Sequence, residues 1–339
     1  GSAFDTVLAV YTGQSISALI EVAANDNHGL VSTSQVSFAA IAGTSYKIAV
    51  DGVAGASGFV RLSWRSADAE QPLMVTAVLP NARSVQIGTL ATGFMTVINA
   101  GAGAGTNCVL SLPSSDFAGS FTYQTTNASN QPSGSPDTPV TIPGNLGVQN
   151  FVFGVTPSQA FTEEALTPVS LCDNGPSSGI SVGVNTFTLS SSLLPPADML
   201  TISRTLSANG VIEMASASDN GFVTIATAAI GSNATLSFSV NDGGAGLPFV
   251  SSVCETNPVT AACLAAPSNA VTFDSGSGET RTFAAFISAT GDIPFAPSTH
   301  RLFITFDDEM GVSRGGSSVA LRTDFTAATE VPGIIAGLE

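Results

Sequence analysis

Few residues in this chain could do chemistry. Gly175-Pro176-Ser177-Ser178-Gly179 matches Gly-x-Ser-x-Gly, the nucleophile elbow in which a sharp strand-to-helix turn presents a serine to a base. That chemistry needs an imidazole and an acid within reach. Only two histidines are available, His28 in AANDNHG and His300 in PSTHR, and both lie in turn-like stretches. The Gly/Ser/Pro surroundings of Ser177 read as a loop in an all-β segment. Glu163-Glu164 and Asp307-Asp308-Glu309 are the nearest approach to the paired carboxylates of glycoside hydrolysis. Neighbouring residues of a strand point to opposite faces, so they do not form such a pair. A charge on a loop or edge strand that discourages sheet-to-sheet aggregation suits them better. No catalytic set emerges, and the expectation is a protein that is not an enzyme.

Calcium fits the residue types better. A hard cation takes six to eight oxygens from carboxylates, amides and main-chain carbonyls. Asp5, Asn25, Asp26, Asn27 and Asp51 cluster in the first 51 residues, between strand patterns. Asp307, Asp308 and Glu309 form a second candidate set, with Asp173 and Asn174 at the matching place in an internal repeat. The competing role for these residues is turn formation, in which the side chain bonds its own backbone. No cofactor is required, and Ca²⁺ is the one the chain could hold.

The four cysteines are Cys108, Cys172, Cys254 and Cys263. None forms a Cys-x-x-Cys pair, and two histidines are too few to complete zinc sites. An even count points to two disulfides and an oxidising compartment. The spacing in CETNPVTAAC pairs Cys254 with Cys263 across a loop, which leaves Cys108 to join Cys172 between distant strands.

The elements that would position these residues are strands. Hydrophobic residues make up 44% of the 339 and charged residues 10%, the balance of a folded chain. The net charge of −16 excludes nucleic acid and disfavours an anionic membrane surface. No apolar run is long enough to span a bilayer, so membrane insertion is not expected. Period-two alternation is clear in Gln35-Val36-Ser37-Phe38 and Tyr46-Lys47-Ile48-Ala49-Val50. With one Trp (Trp64) and three Tyr (Tyr11, Tyr46, Tyr123), a sugar-stacking platform is poorly stocked.

The succession FDTVLAVYTG, VAANDNHG, VSFAAIAGTSYKIAVDG and GFVRLSW resembles the second half of a bacterial pre-peptidase C-terminal domain. That family is a small secreted β-sandwich of jelly-roll type, often appended to extracellular proteases. The resemblance covers residues 4–64 and implies a secreted bacterial protein. It matches only the second half of the family pattern, and three explanations compete: a boundary that cuts the domain and leaves the half propped by its neighbour or a second copy, cleavage of a longer precursor whose pieces stay associated, or strands supplied by another subunit.

After the polar stretch RSADAEQP an internal repeat begins. GFMTVINAG (93–101) resembles GFVTIATAAIG (221–231), and NCVLSL (107–112) resembles NATLSFSV (233–240). FVFGVTPSQAFTEEALTPVSLCDNG (151–175) resembles FAAFISATGDIPFAPSTHRLFITFDDEMG (283–311). Short strands separated by Gly, Pro, Asn and Asp fit a Greek-key or immunoglobulin-like sandwich. LLPPADMLTIS separates the copies, with Pro195-Pro196 favouring an extended linker.

The expected fold is therefore all-β, with tandem β-sandwich domains: a partial jelly-roll at 1–65, immunoglobulin-like sandwiches at 73–192 and 199–325, and a tail at 326–339. The expected function is structural or adhesive, at the cell surface or outside the cell, as a subunit of a filament assembled by strand sharing. The competing expectation is an accessory substrate-binding or secretion region of a larger exported hydrolase or protease. The expected partners are a second copy or another protein supplying β-strands, and a surface polysaccharide.

Overall fold

Alternation in the sequence becomes alternation in burial. In the computed structural model, Ala91–Asn99 buries every second residue and turns the others outward, as a strand with one face on a core must. The structure describes residues 2, 4–13, 15–27, 32–38, 40–41, 44–60, 62, 71–113 and 117–323. His28, Trp64, the linker as far as residue 70 and the tail at 326–339 lie outside them. The architecture is all-β, and the chain divides into two compact units, Gly1–Glu70 and Gln71–Glu339.

The first unit holds an antiparallel sheet of three strands, β1 (Thr6–Thr12), β2 (Ile20–Asn25) and β3 (Lys47–Gly52), in the order β2-β1-β3. The alternating stretch Gln35–Phe38 is not a strand. Side chains tie down its approach instead of a ladder partner. The Ser34 amide donates to Thr6 Oγ1 and the Gln35 amide to Asn25 Oδ1, each over 3.1 Å. Local side-chain bonds of this kind compete with sheet formation.

The second unit contains both sequence repeats. The first repeat runs through β4 (Met74–Leu79), β5 (Ala82–Gln86), β6 (Ala91–Asn99), β7 (Gly105–Ser111) and β8 (Gly119–Thr125). It continues with β9 (Val140–Ile142), β10 (Gly147–Pro157), β11 (Phe161–Leu166), β12 (Val169–Leu171) and β13 (Phe187–Ser192). The second has β14 (Met199–Thr205), β15 (Val211–Glu213), β16 (Asn220–Ala229), β17 (Ala234–Asn241) and β18 (Phe249–Thr256). It ends with β19 (Val271–Ser275), β20 (Thr280–Ala289), β21 (Arg301–Asp308) and β22 (Ser313–Arg322).

The duplication is visible in the topology. The four-stranded sheets have the orders β4-β6-β10-β8 and β14-β16-β20-β18, strand for strand the same. The three-strand runs β12-β7-β9 and β21-β17-β19 also correspond. Each copy adds a parallel pair, β5 with β13 and β15 with β22. Each has its own core: Phe151, Phe153 and Phe187 in the first, and Phe238, Phe273, Phe283 and Phe306 in the second.

The two copies are nonetheless joined. β5 of the first bridges to β22 of the second at Ala82 and Gly316, so one sheet runs β11-β13-β5-β22-β21-β17-β19 through both. The stretch between the copies is not a free linker, because Ala197 and Asp198 are buried.

Candidate functional site

Polar and apolar groups that could form a site lie in three kinds of place: the polar clusters named from the sequence, the junction between the copies, and the outer faces of the sheets. In the elbow-like motif, Ser177 is exposed on a loop. The neighbouring Ser178 is buried, and its Oγ accepts the Ser170 amide over 3.0 Å. His300 Nδ1 lies 2.7 Å from the Pro294 carbonyl, which occupies that ring nitrogen. Glu163 and Glu164 do not act together: Glu163 sits at a register shift in β11 and accepts the Ser313 amide on Oε1 over 3.0 Å.

The cation candidates are spent largely on turns. Asp51 Oδ1 accepts the Gly52 amide, and Asn25 is bonded to Gln35 as above. Asp26 offers its main-chain oxygen to the Ser34 hydroxyl, and Asp5 its own to the Val53 amide. Asp5 Oδ1 is buried without a hydrogen-bond partner. Asp173 Oδ2 accepts from Asn107 Nδ2, and Asn174 bridges the Thr106 amide and the Ala104 carbonyl. Among the described residues no group of three His, Cys, Asp or Glu side chains is placed to share a metal ion.

Asp308 organises the β21–β22 hairpin. Its Oδ1 accepts the Met310 and Val312 amides, and its Oδ2 takes Arg314 Nε and Nη2 at 2.8 and 2.6 Å. Burial would raise its carboxyl, but the Val312 amide and Arg314 hold it below the ordinary range. Glu309 follows as an exposed turn residue. Asp307 has the opposite fate: burial pushes its carboxyl up, the Thr305 hydroxyl opposes this, and the charges of Glu163 and Asp308 add to the rise. The folded state therefore holds a proton on Asp307 more tightly than the unfolded chain does, and its ionised form costs stability at neutral pH. Asp307→Asn is expected to melt higher than the parent at pH 7, with the difference shrinking as pH falls through the raised folded value and gone below the ordinary carboxylate value of about 4. An equal gain at both pH values, or none at pH 7, would contradict this.

Both disulfides are formed, Cys108–Cys172 and Cys254–Cys263. Cys108 is on β7 and Cys172 directly follows β12, its hydrogen-bonded neighbour, so this bridge joins adjacent strands. Cys254 points to the outer side of β18, where its bond to Cys263 ties down the following loop. Two disulfides fit an oxidising compartment. Among the described residues no helix is long and apolar enough to cross a membrane.

The junction holds the site that spacing could not reveal. Arg83 on β5 and Asp198 before β14 are each 5% exposed and form a bidentate pair. Arg83 Nε lies 3.1 and 3.0 Å from the two carboxylate oxygens, and Nη2 lies 2.9 Å from Oδ2. Arg83 Nη1 donates to the Thr92 carbonyl, and the Ser84 amide donates to Asp198 Oδ1. Burial pushes the Asp198 carboxyl above its ordinary range, against the pull of Arg83's bonds and charge. The signal in the sequence was a charge inside each of two otherwise uncharged stretches, ARSVQ and PPADML.

The outer faces of the four-stranded sheets carry matched apolar rows. In the first copy Leu79 pairs with Phe94, and Phe94 with Val152. In the second, Phe222 pairs with Phe286, and Leu206 follows Thr205, which pairs with Val223. Phe94 and Phe222 are the same position of the repeat, and they are 47% and 39% exposed. The residue before each is a glycine that makes room inward: a Cβ on Gly93 would meet Phe153 at 2.4 Å, and one on Gly221 would meet Ile212 at 2.3 Å.

No family model matches the chain, and no curated protein does. Among solved structures it is similar to a protein of unknown function from Porphyromonas gingivalis W83, at 8% identity and a TM-score of 0.22. That match covers 73% of this chain and 99% of the other.

Proposed function

We propose that the chain is a non-enzymatic structural or adhesive protein, secreted or held at the cell surface, and that it assembles by sharing strands with another polypeptide. The observation that carries this reading is the sheet of the first unit. Both of its outer strands, β2 and β3, have one neighbour each among the described residues. Each also exposes large aliphatic side chains, Ile20 and Val22 on β2 and Ile48 on β3. Open edges with exposed apolar residues are templates for further pairing. Two disulfides support an extracellular location.

Light scattering and negative-stain microscopy of the intact chain test the reading. Regular fibres or a defined oligomer are expected, and Ile20→Lys with Ile48→Lys should break them down to smaller species, because a lysine on an edge strand opposes strand addition. A parent chain that stays monomeric would sink strand sharing. It would favour the reading implied by the resemblance of residues 4–64, an accessory region of a larger exported hydrolase or protease.

A further inference from the structure

We propose that the outer faces of the two four-stranded sheets in the second unit are docking surfaces for a second copy of this chain, met through the rows Leu79–Phe94–Val152 and Leu206–Phe222–Phe286. The inference rests on the self-association reading but places a contact on different residues from the open edges of the first unit.

Three observations support it. First, the rows are surplus to folding. Each copy fills its core with the inward side chains of the same strands, and Gly93 and Gly221 yield inward space to Phe153 and Ile212. The outward Phe residues gain little from the fold and leave apolar surface in water, and contiguous surface of that kind marks an interaction site. Second, the row occurs twice at the same register, with Phe94 and Phe222 each beside an exposed leucine on the preceding strand of its sheet or directly after it. A feature kept in both copies, off the core, has the form of one contact presented twice.

Third, charge selects the occupant. The chain carries −16, so a second copy is repelled from most of the surface. Among the strand residues on the outer sides of these two sheets, Arg204 is the one charged side chain. Asp137 lies beside β8 of the first face, where the Thr122 hydroxyl and the Tyr123 amide donate to its carboxylate. These faces are therefore where two copies can approach without like-charge cost, and they offer a charged partner almost nothing to pair with. A neutral polysaccharide is less well served. Of the three tyrosines, Tyr123 is buried and Tyr11 and Tyr46 belong to the other unit, so the rows offer only aliphatic side chains and phenyl rings. Sheets meeting face to face in this way pack about 10 Å apart.

Sedimentation velocity of the intact chain over a wide concentration range tests the contact. It should be run in the Ile20→Lys/Ile48→Lys background, so that strand sharing is already suppressed. Concentration-dependent association is expected there, and adding Phe94→Thr with Phe222→Thr should weaken it by at least about 30-fold, while thermal melting confirms the fold is kept. Because a substituted strand could misfold, hydroxyl-radical footprinting of the unsubstituted rows gives a second readout. Phe94, Phe222 and Phe286 should lose reactivity as the oligomer forms. A monomer at every concentration in the edge-blocked background overturns the proposal while leaving strand sharing standing. Association with undiminished reactivity at the rows also overturns it. So does retention on a neutral insoluble glucan that Phe94→Thr/Phe222→Thr abolishes, without any self-association.

Discussion

Replacing Arg83 with Met is expected to destabilise the second unit by about 3–5 kcal/mol, the cost of stripping the partner from a buried charge. The substitution removes three short contacts to Asp198 and the bond to the Thr92 carbonyl. It leaves a carboxylate that is 5% exposed with the Ser84 amide as its remaining close donor. For a unit of this size the loss corresponds to a fall in melting temperature of roughly 6–20 °C. Asp198 would escape by taking a proton, since its carboxyl is already pushed up by burial and loses Arg83's opposing pull. The penalty should therefore shrink as pH is lowered toward about 5. Arg83→Met with Asp198→Leu should be less damaging than Arg83→Met alone, because apolar replacement of both partners spares the orphaned charge. Urea titration followed by circular dichroism gives all three values. A single-substitution cost below about 1 kcal/mol would show that the junction does not depend on the pair.

Removing the Cys108–Cys172 disulfide as a pair of alanines is expected to cost about 4 kcal/mol, against about 2.5 kcal/mol for Cys254–Cys263. The difference follows from the separations of 64 and 9 residues, since a longer closed loop restrains the unfolded chain more. Packing acts in the same direction. Cys108 and Cys172 are buried in the first core, and a Cβ on Gly105 would meet their sulfurs at 2.7 and 2.8 Å. The alanine pair leaves space there that the surroundings fill only in part. Thermal melts of the two double variants should show the larger drop for residues 108 and 172. The reverse order would mean that the short clip restrains the fold more than its loop length implies.

The fold was legible wherever period two and repetition carried it. β6 and β16 alternate cleanly, and GFMTVINAG against GFVTIATAAIG exposes the duplication that the strand orders repeat. The same alternation misled at Gln35–Phe38, where side-chain bonds from Thr6 and Asn25 take the approach to the segment out of any ladder. The joining of the copies was not legible. β5 finds β13 and β22 as partners, and neither is near it in sequence. Pro195-Pro196 reads as linker chemistry although the next two residues are buried, because no local rule reports that an arginine 115 positions away lies waiting. The outward aromatic of each repeat was present in the quoted motifs, but which way it points depends on strand register, and register is a property of pairs.

The shared sheet also bears on how the chain is made. Residue 82 leaves the ribosome long before its neighbour at 316, and Arg83 is translated well ahead of Asp198. At about 5–20 residues per second, β5 waits on the order of tens of seconds for the last strand that covers its edge. Until then the first copy presents an open strand, and for the earlier part of that wait, before residue 198 is made, an unmatched guanidinium as well. Folding of this unit therefore cannot be completed domain by domain behind the ribosome. The native sheet closes only after residue 316 has been made, so the first copy passes through a state with an open strand edge that its own residues do not cover.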